Sequence, residues 1–162
     1  MKITFAGTSV MLVLMTVGAC GVDVPAGLVG KVNAGCPNLV KPEPVAVITR
    51  GFEVSQVASE VADSCKVSIR DGRDVLLVSL IAHPSQEVAE RQAAMLCPSG
   101  SLDEPDKSCM ASTADSGRFA VHGAAGRWEV RIAVSEIPVN DEVQAAVHQI
   151  FKDLRSSSKT RG

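Results

Sequence analysis

The sequence predicts an α+β domain: a small, mostly antiparallel sheet with helices packed mainly on one face, stapled by disulfides. Three observations predict it. Short β-branched runs alternate with stretches whose apolar residues recur at helical spacing. Asp71-Gly72 separates two β-prone runs, a strong short-range hairpin signal because type I′ turns need positive φ. Five cysteines, Cys20, Cys36, Cys65, Cys97 and Cys109, stand in a chain of 162 residues, a length that suits one domain plus some processing or tether sequence.

The elements follow in order. Residues 20–44 contain several glycines and prolines without periodicity and read as a tether. The domain is expected over 45–155, opening with a short β-branched strand, Val45-Ala46-Val47-Ile48-Thr49. Val54, Val57, Ala58, Val61 and Cys65 recur at helical spacing and predict a helix over 53–64. Residues 66–70 and 74–82 form the hairpin about Asp71-Gly72, and the run Val75 to Ile81 is apolar on both faces, as a central strand would be. Pro84 stops that strand, and Ser85 caps a helix reaching Leu96, with Glu87 in its first turn. A loop spans 97–117. Residues 118–122 and 127–135 form a second hairpin joined through Gly123 and Gly126. In its second strand Trp128, Val130, Ile132 and Val134 face the core while Glu129, Arg131 and Ala133 face solvent. Asn140 caps a last amphipathic helix carrying Val143, Ala146, Val147, Ile150, Phe151 and Leu154, and a polar tail, 156–162, frays. The expected order is β-α-β-β-α-β-β-α, without a convincing internal repeat.

Composition narrows the function. Apolar residues make up 46% of the chain, but with four Phe, one Trp and no Tyr the core must be aliphatic. Rings for stacking on bases are scarce, and a formal charge of −2 without a basic stripe argues against nucleic acid as a partner.

The first charged residue is Lys2 and the next is Asp23, with an apolar stretch between them densest at Val10 to Met15. A positive end, a hydrophobic middle and small residues before residue 20 have the form of a secretory signal over 1–19. Gly7, Thr8, Ser9, Thr16 and Gly18 interrupt the stretch, whereas a membrane span needs about 20 predominantly apolar residues. The stretch ends Val17-Gly18-Ala19-Cys20, which resembles the lipobox of bacterial lipoproteins. The resemblance covers residues 1–20 alone, with Val in place of the commoner Leu three residues before the cysteine. It implies a diacylglyceryl thioether on Cys20, cleavage before Cys20 and fatty acylation, such as palmitate, of the new amino terminus. It also implies a membrane as partner, with the domain on the extracytoplasmic side. Where a cell has two membranes, the Gly21 that follows favours the outer one.

Export brings the thiols into an oxidising compartment. With Cys20 set aside, Cys36, Cys65, Cys97 and Cys109 remain, and four cysteines allow three connectivities. Spacing favours Cys97–Cys109, closing the 97–109 loop, together with Cys36–Cys65.

The search for chemistry is mostly negative. No C-x-x-C, H-x(3–5)-H, H-E-x-x-H, G-x-S-x-G or phosphate-cradling glycine loop occurs, so no metal, cofactor or catalytic residue is assigned. His83 and His122 end strands and would make a weak acid–base or metal pair if those ends are neighbours, while His148 borders the last helix. Asp103, Glu104 and Asp106 crowd one loop, without an EF-hand's glycine and bidentate spacing, and form the candidate interaction surface. The expected function is a non-catalytic, membrane-anchored lipoprotein that binds an envelope protein or supports an envelope assembly. The alternatives are a carrier or sensor of a small apolar ligand, requiring an enclosed pocket, and a small envelope hydrolase. The hydrolase requires a Ser, Asp or Glu within hydrogen-bond reach of an imidazole.

Overall fold

The computed structural model describes residues 22–113 and 117–158; Cys20 and the signal lie outside them. The chain is α+β, with helices α1 (Ala26–Gly35), α2 (Pro42–Ile48), α3 (Gln86–Ala94) and α4 (Asp141–Ser158). Strands β1 (Val54–Ala58), β2 (Ser64–Ile69), β3 (Asp74–Ala82), β4 (Ser108–Thr113), β5 (Arg118–Ala125) and β6 (Trp128–Val134) form one antiparallel sheet in the order β1-β2-β3-β6-β5-β4.

Two meanders thus meet at their third strands, β3 against β6. Period-2 alternation places Cys65, Val67, Leu76, Val78, Val121, Val130, Ile132 and Val134 on one face, where they are buried. Helices α1, α2 and α4 lie on this face. Val143, Val147, Ile150, Phe151 and Leu154 of α4 and Val45 and Ile48 of α2 complete an aliphatic core. Each fully buried Val, Leu or Ile contributes about 1.5–3 kcal/mol. A Cβ on Gly123 would stand 2.5 Å from the Phe151 ring, so α4 comes this close to β5 only because Gly123 has no side chain. Helix α3 crosses the opposite face.

Local chemistry behaves as expected at several points. Ser85 Oγ accepts from Val88 N at 3.3 Å and Asn140 Oδ1 from Val143 N at 2.9 Å, capping α3 and α4. Between β2 and β3, Gly72 N donates to Ile69 O at 2.9 Å and Gly72 alone takes a positive φ of 83°. This is a type I turn followed by a left-handed glycine, not a type I′ turn. The second hairpin turns on Gly126 and Arg127, with Ala125 paired to Trp128, so Gly123 belongs to the strand rather than to the turn.

Other expectations are corrected. The glycine- and proline-bearing segment after residue 25 is no tether. Leu28 and Val32 of α1 and Cys36 after it are buried, and α1 packs on β1. Of residues 45–49, Val45 to Ile48 are helical rather than extended and Thr49 caps them, because Pro42 starts the helix and Val45 and Ile48 bury against α4. The helix expected over 53–64 is strand β1 and a turn. A β-bulge between Val54 and Gln56 shifts the alternation, so Val54 and Val57 both point inward at a spacing that mimics a helix. Strand β4 replaces part of the expected 97–117 loop, and α4 runs through Ser158. The observed order is α-α-β-β-β-α-β-β-β-α.

Candidate functional site

Two disulfides bind peripheral segments to the sheet. Cys36–Cys65 ties the end of α1 to β2, and Cys97–Cys109 ties the end of α3 to β4. Cys109 stands opposite His122 in the ladder, so the second bond holds α3 over the far face of β5 and β6.

Beneath α3 lies a cluster of charged side chains. Ala89 and Ala93 of the helix are fully buried, as are Glu129 of β6 and Ala124 of β5 on the face it crosses. Glu129 is only 1% exposed. Its Oε2 lies 2.9 Å from His83 Nε2, and its Oε1 accepts from Arg131 Nε at 2.5 Å. The wet side expected for this strand is therefore dry at Glu129, under α3, and open at Arg131 and Ala133. His83 follows β3 and bonds through its backbone N to Arg127 O at 2.9 Å, which carries the imidazole to Glu129. His122 pairs across the ladder with Arg131. Burial lowers its pKa below the ordinary histidine value, and the Arg131 charge adds to that against a smaller opposing pull from Glu129. Its Nδ1 is buried without a hydrogen-bond partner.

Of the two strand-end histidines, His83 is thus brought to the carboxylate, while His122 stands beside the pair, opposite Arg131. The geometry suits an ion-pair network more than a reaction centre, since both oxygens of Glu129 are engaged. Among the described residues no group of three or more His, Cys, Asp or Glu could hold a metal ion. Glu129 and Arg131 escape sequence reasoning because alternation shows which residues share a face, not which face a crossover helix will cover. His148 lies half-buried on α4, away from the pair.

The rest of this face is open. Lys66, Leu77, Ala133, Ala120 and Ala111 form one row across five strands. They floor a groove of about 450 Å³ rimmed by Asp74, Arg118 and Ser135, with Leu77 45% exposed. Two other open grooves, of about 580 and 570 Å³, flank Val22, Asp23 and Arg50 where the described chain begins.

The acidic loop is largely neutralised by its own neighbours. Lys107 Nζ pairs with Glu104 and lies 3.6 Å from Glu90, and Asp106 faces Arg155 at 3.6 Å. A hydrogen bond donated to Glu104 holds the Lys107 ammonium above the usual lysine range. Arg155 also donates to Pro105 O at 3.0 Å. Asp103 remains exposed, and its N donates to Ser108 O at 2.8 Å.

Among the described residues no helix is long and apolar enough to cross a membrane. A comparison of the chain with protein-family models, curated proteins and solved structures finds no match.

Proposed function

We propose that this chain is an exported lipoprotein, held on a membrane by lipid on Cys20, whose non-catalytic domain engages another protein of the cell envelope. One observation carries the reading: Cys36, Cys65, Cys97 and Cys109 are consumed in pairs, leaving Cys20 as the odd cysteine directly behind a lipobox-like Val17-Gly18-Ala19. Paired thiols fit an oxidising compartment, and a single leftover cysteine after a signal fits a lipid acceptor. Two or more acyl chains hold durably where one holds marginally, so a diacylglyceryl group with an acylated amino terminus is sufficient anchorage.

The open grooves favour protein contact over carriage of a small apolar ligand, which calls for an enclosed pocket. The hydrolase reading draws support from the contact of His83 with Glu129. Against it, neither His83, His122 nor Glu129 lines these three grooves, and the carboxylate is spent on two partners.

Intact-mass measurement of the mature chain tests the anchor. The expected mass is that of a polypeptide starting at residue 20 plus diacylglyceryl and acyl groups, and Cys20→Ser moves the protein out of the membrane fraction. An amino terminus without fatty-acid mass, or a Cys20→Ser chain that partitions as before, overturns the proposal.

A further inference from the structure

The two edges of the sheet are treated very differently. At β1 the edge is closed by α1: the Lys31 ammonium donates to the Val54 carbonyl, a Cβ on Gly35 would stand 1.9 Å from Val57 O, and a bulge bends the strand. Natural sheets protect edges by such covers, bulges and charges because an open edge is a template for another strand.

At β4 the described residues supply none of these devices beyond Ser108. The strand reads Ser-Cys-Met-Ala-Ser-Thr, without charge or proline, and Met110 is 50% exposed. Among the described residues only Ser108 is occupied on the outer side, its O accepting from Asp103 N at 2.8 Å. On the inner side, Lys107 O accepts from Ala124 N of β5 at 3.0 Å. Backbone polar groups alternate sides along a strand, so Met110 and Ser112, in phase with Ser108, direct their N–H and C=O outward. Cys109 and Ala111, in phase with Lys107, direct theirs to β5.

We infer that the β4 edge pairs, antiparallel and about a two-fold axis at Ala111, with β4 of a second copy of this chain. The register follows from the bounds of the free stretch. Asp103 blocks pairing at Ser108 and β4 ends at Thr113, leaving 109–113, whose centre is Ala111. Met110 then meets the partner's Ser112 and Ser112 the partner's Met110, each pair exchanging two hydrogen bonds, while the two Ala111 residues form the close pair without hydrogen bonds, about 4.5 Å between Cα atoms. Two arguments favour a second copy over an unrelated strand. An uncharged strand opposes no like charges when it meets itself. Asp103 at one end of the edge and Arg118, opposite Thr113 at the other, are exchanged by the two-fold axis, so each exposed Asp103 comes beside an Arg118 of the second copy. Self-pairing is independent of lipid anchoring.

The test uses the purified full chain in detergent, under mild oxidation. Ala111→Cys is expected to give a disulfide-linked dimer, because the predicted Cα separation suits the bond. Met110→Cys, which would face Ser112 of the partner, is expected to give little. Ser112→Pro in the Ala111→Cys background removes an outward N–H but no bond to β5, and is expected to abolish the dimer with far-UV circular dichroism unchanged. Absence of a dimer from Ala111→Cys, equal dimer from Met110→Cys, or crosslinking only to an added envelope protein overturns the inference. The contrast between the two cysteine variants decides the matter even if the proline variant misfolds.

Discussion

Glu129 shows what a buried carboxylate requires. Stripping the group of water is unfavourable unless its charge and lone pairs are matched, and here Arg131 and His83 match them. His122 shares the neighbourhood without sharing the bonds, and burial together with Arg131 keeps its imidazole neutral below the usual histidine range. The sign of the pH dependence follows. The unfolded chain takes up a proton on this imidazole near pH 6.5, and the folded chain does so only at lower pH. Its contribution to stability is therefore fully present above about pH 6.5 and is lost as pH falls toward the folded-state value. Urea midpoints measured between pH 8 and pH 5 are expected to fall less for His122→Gln than for the natural chain. Equal falls would exclude this imidazole as a source of acid lability.

Turns and caps, which involve only residues near one another in the chain, are the part of the fold legible in the sequence. Ser85, Asn140 and Gly72 occupy the positions their chemistry selects, and α3, α4 and the hairpin of β2 and β3 follow from them. What escapes is decided at a distance. A β-branched run becomes α2 because α4 offers it a buried surface, and β1 imitates a helix because a bulge breaks its alternation. Glu129 escaped for the same reason, since its burial depends on where α3 lands. Gly123 is the clearest element-scale test. Gly123→Ala puts a methyl group against Phe151 and Lys107 O and is expected to destabilise the domain by about 1–3 kcal/mol, read as a shift of the urea midpoint at constant slope. A neutral result would show that α4 can withdraw from β5 without penalty.

The whole molecule is two three-stranded meanders joined at β3 and β6, each followed by a helix. A two-fold axis normal to the sheet would exchange the strands but not α3 and α4, which lie on opposite faces, so the halves share topology and differ in dress. The disulfides reinforce this arrangement from both sides. Replacing Cys97 and Cys109 together by Ser is expected to cost about 3 kcal/mol in the chain-entropy view. The effect should concentrate in α3, where amide exchange is expected to quicken more than in α4, and uniform quickening would count against a local role. The Cys36–Cys65 bond has a mechanical consequence of its own. Tension arriving from residue 22 can unravel α1 but must stop at Cys36, where the covalent link passes it to Cys65. Cys65 lies on an inner strand flanked by β1 and β3, so the load enters the sheet where the chain is hydrogen-bonded on both sides and not at its border strand.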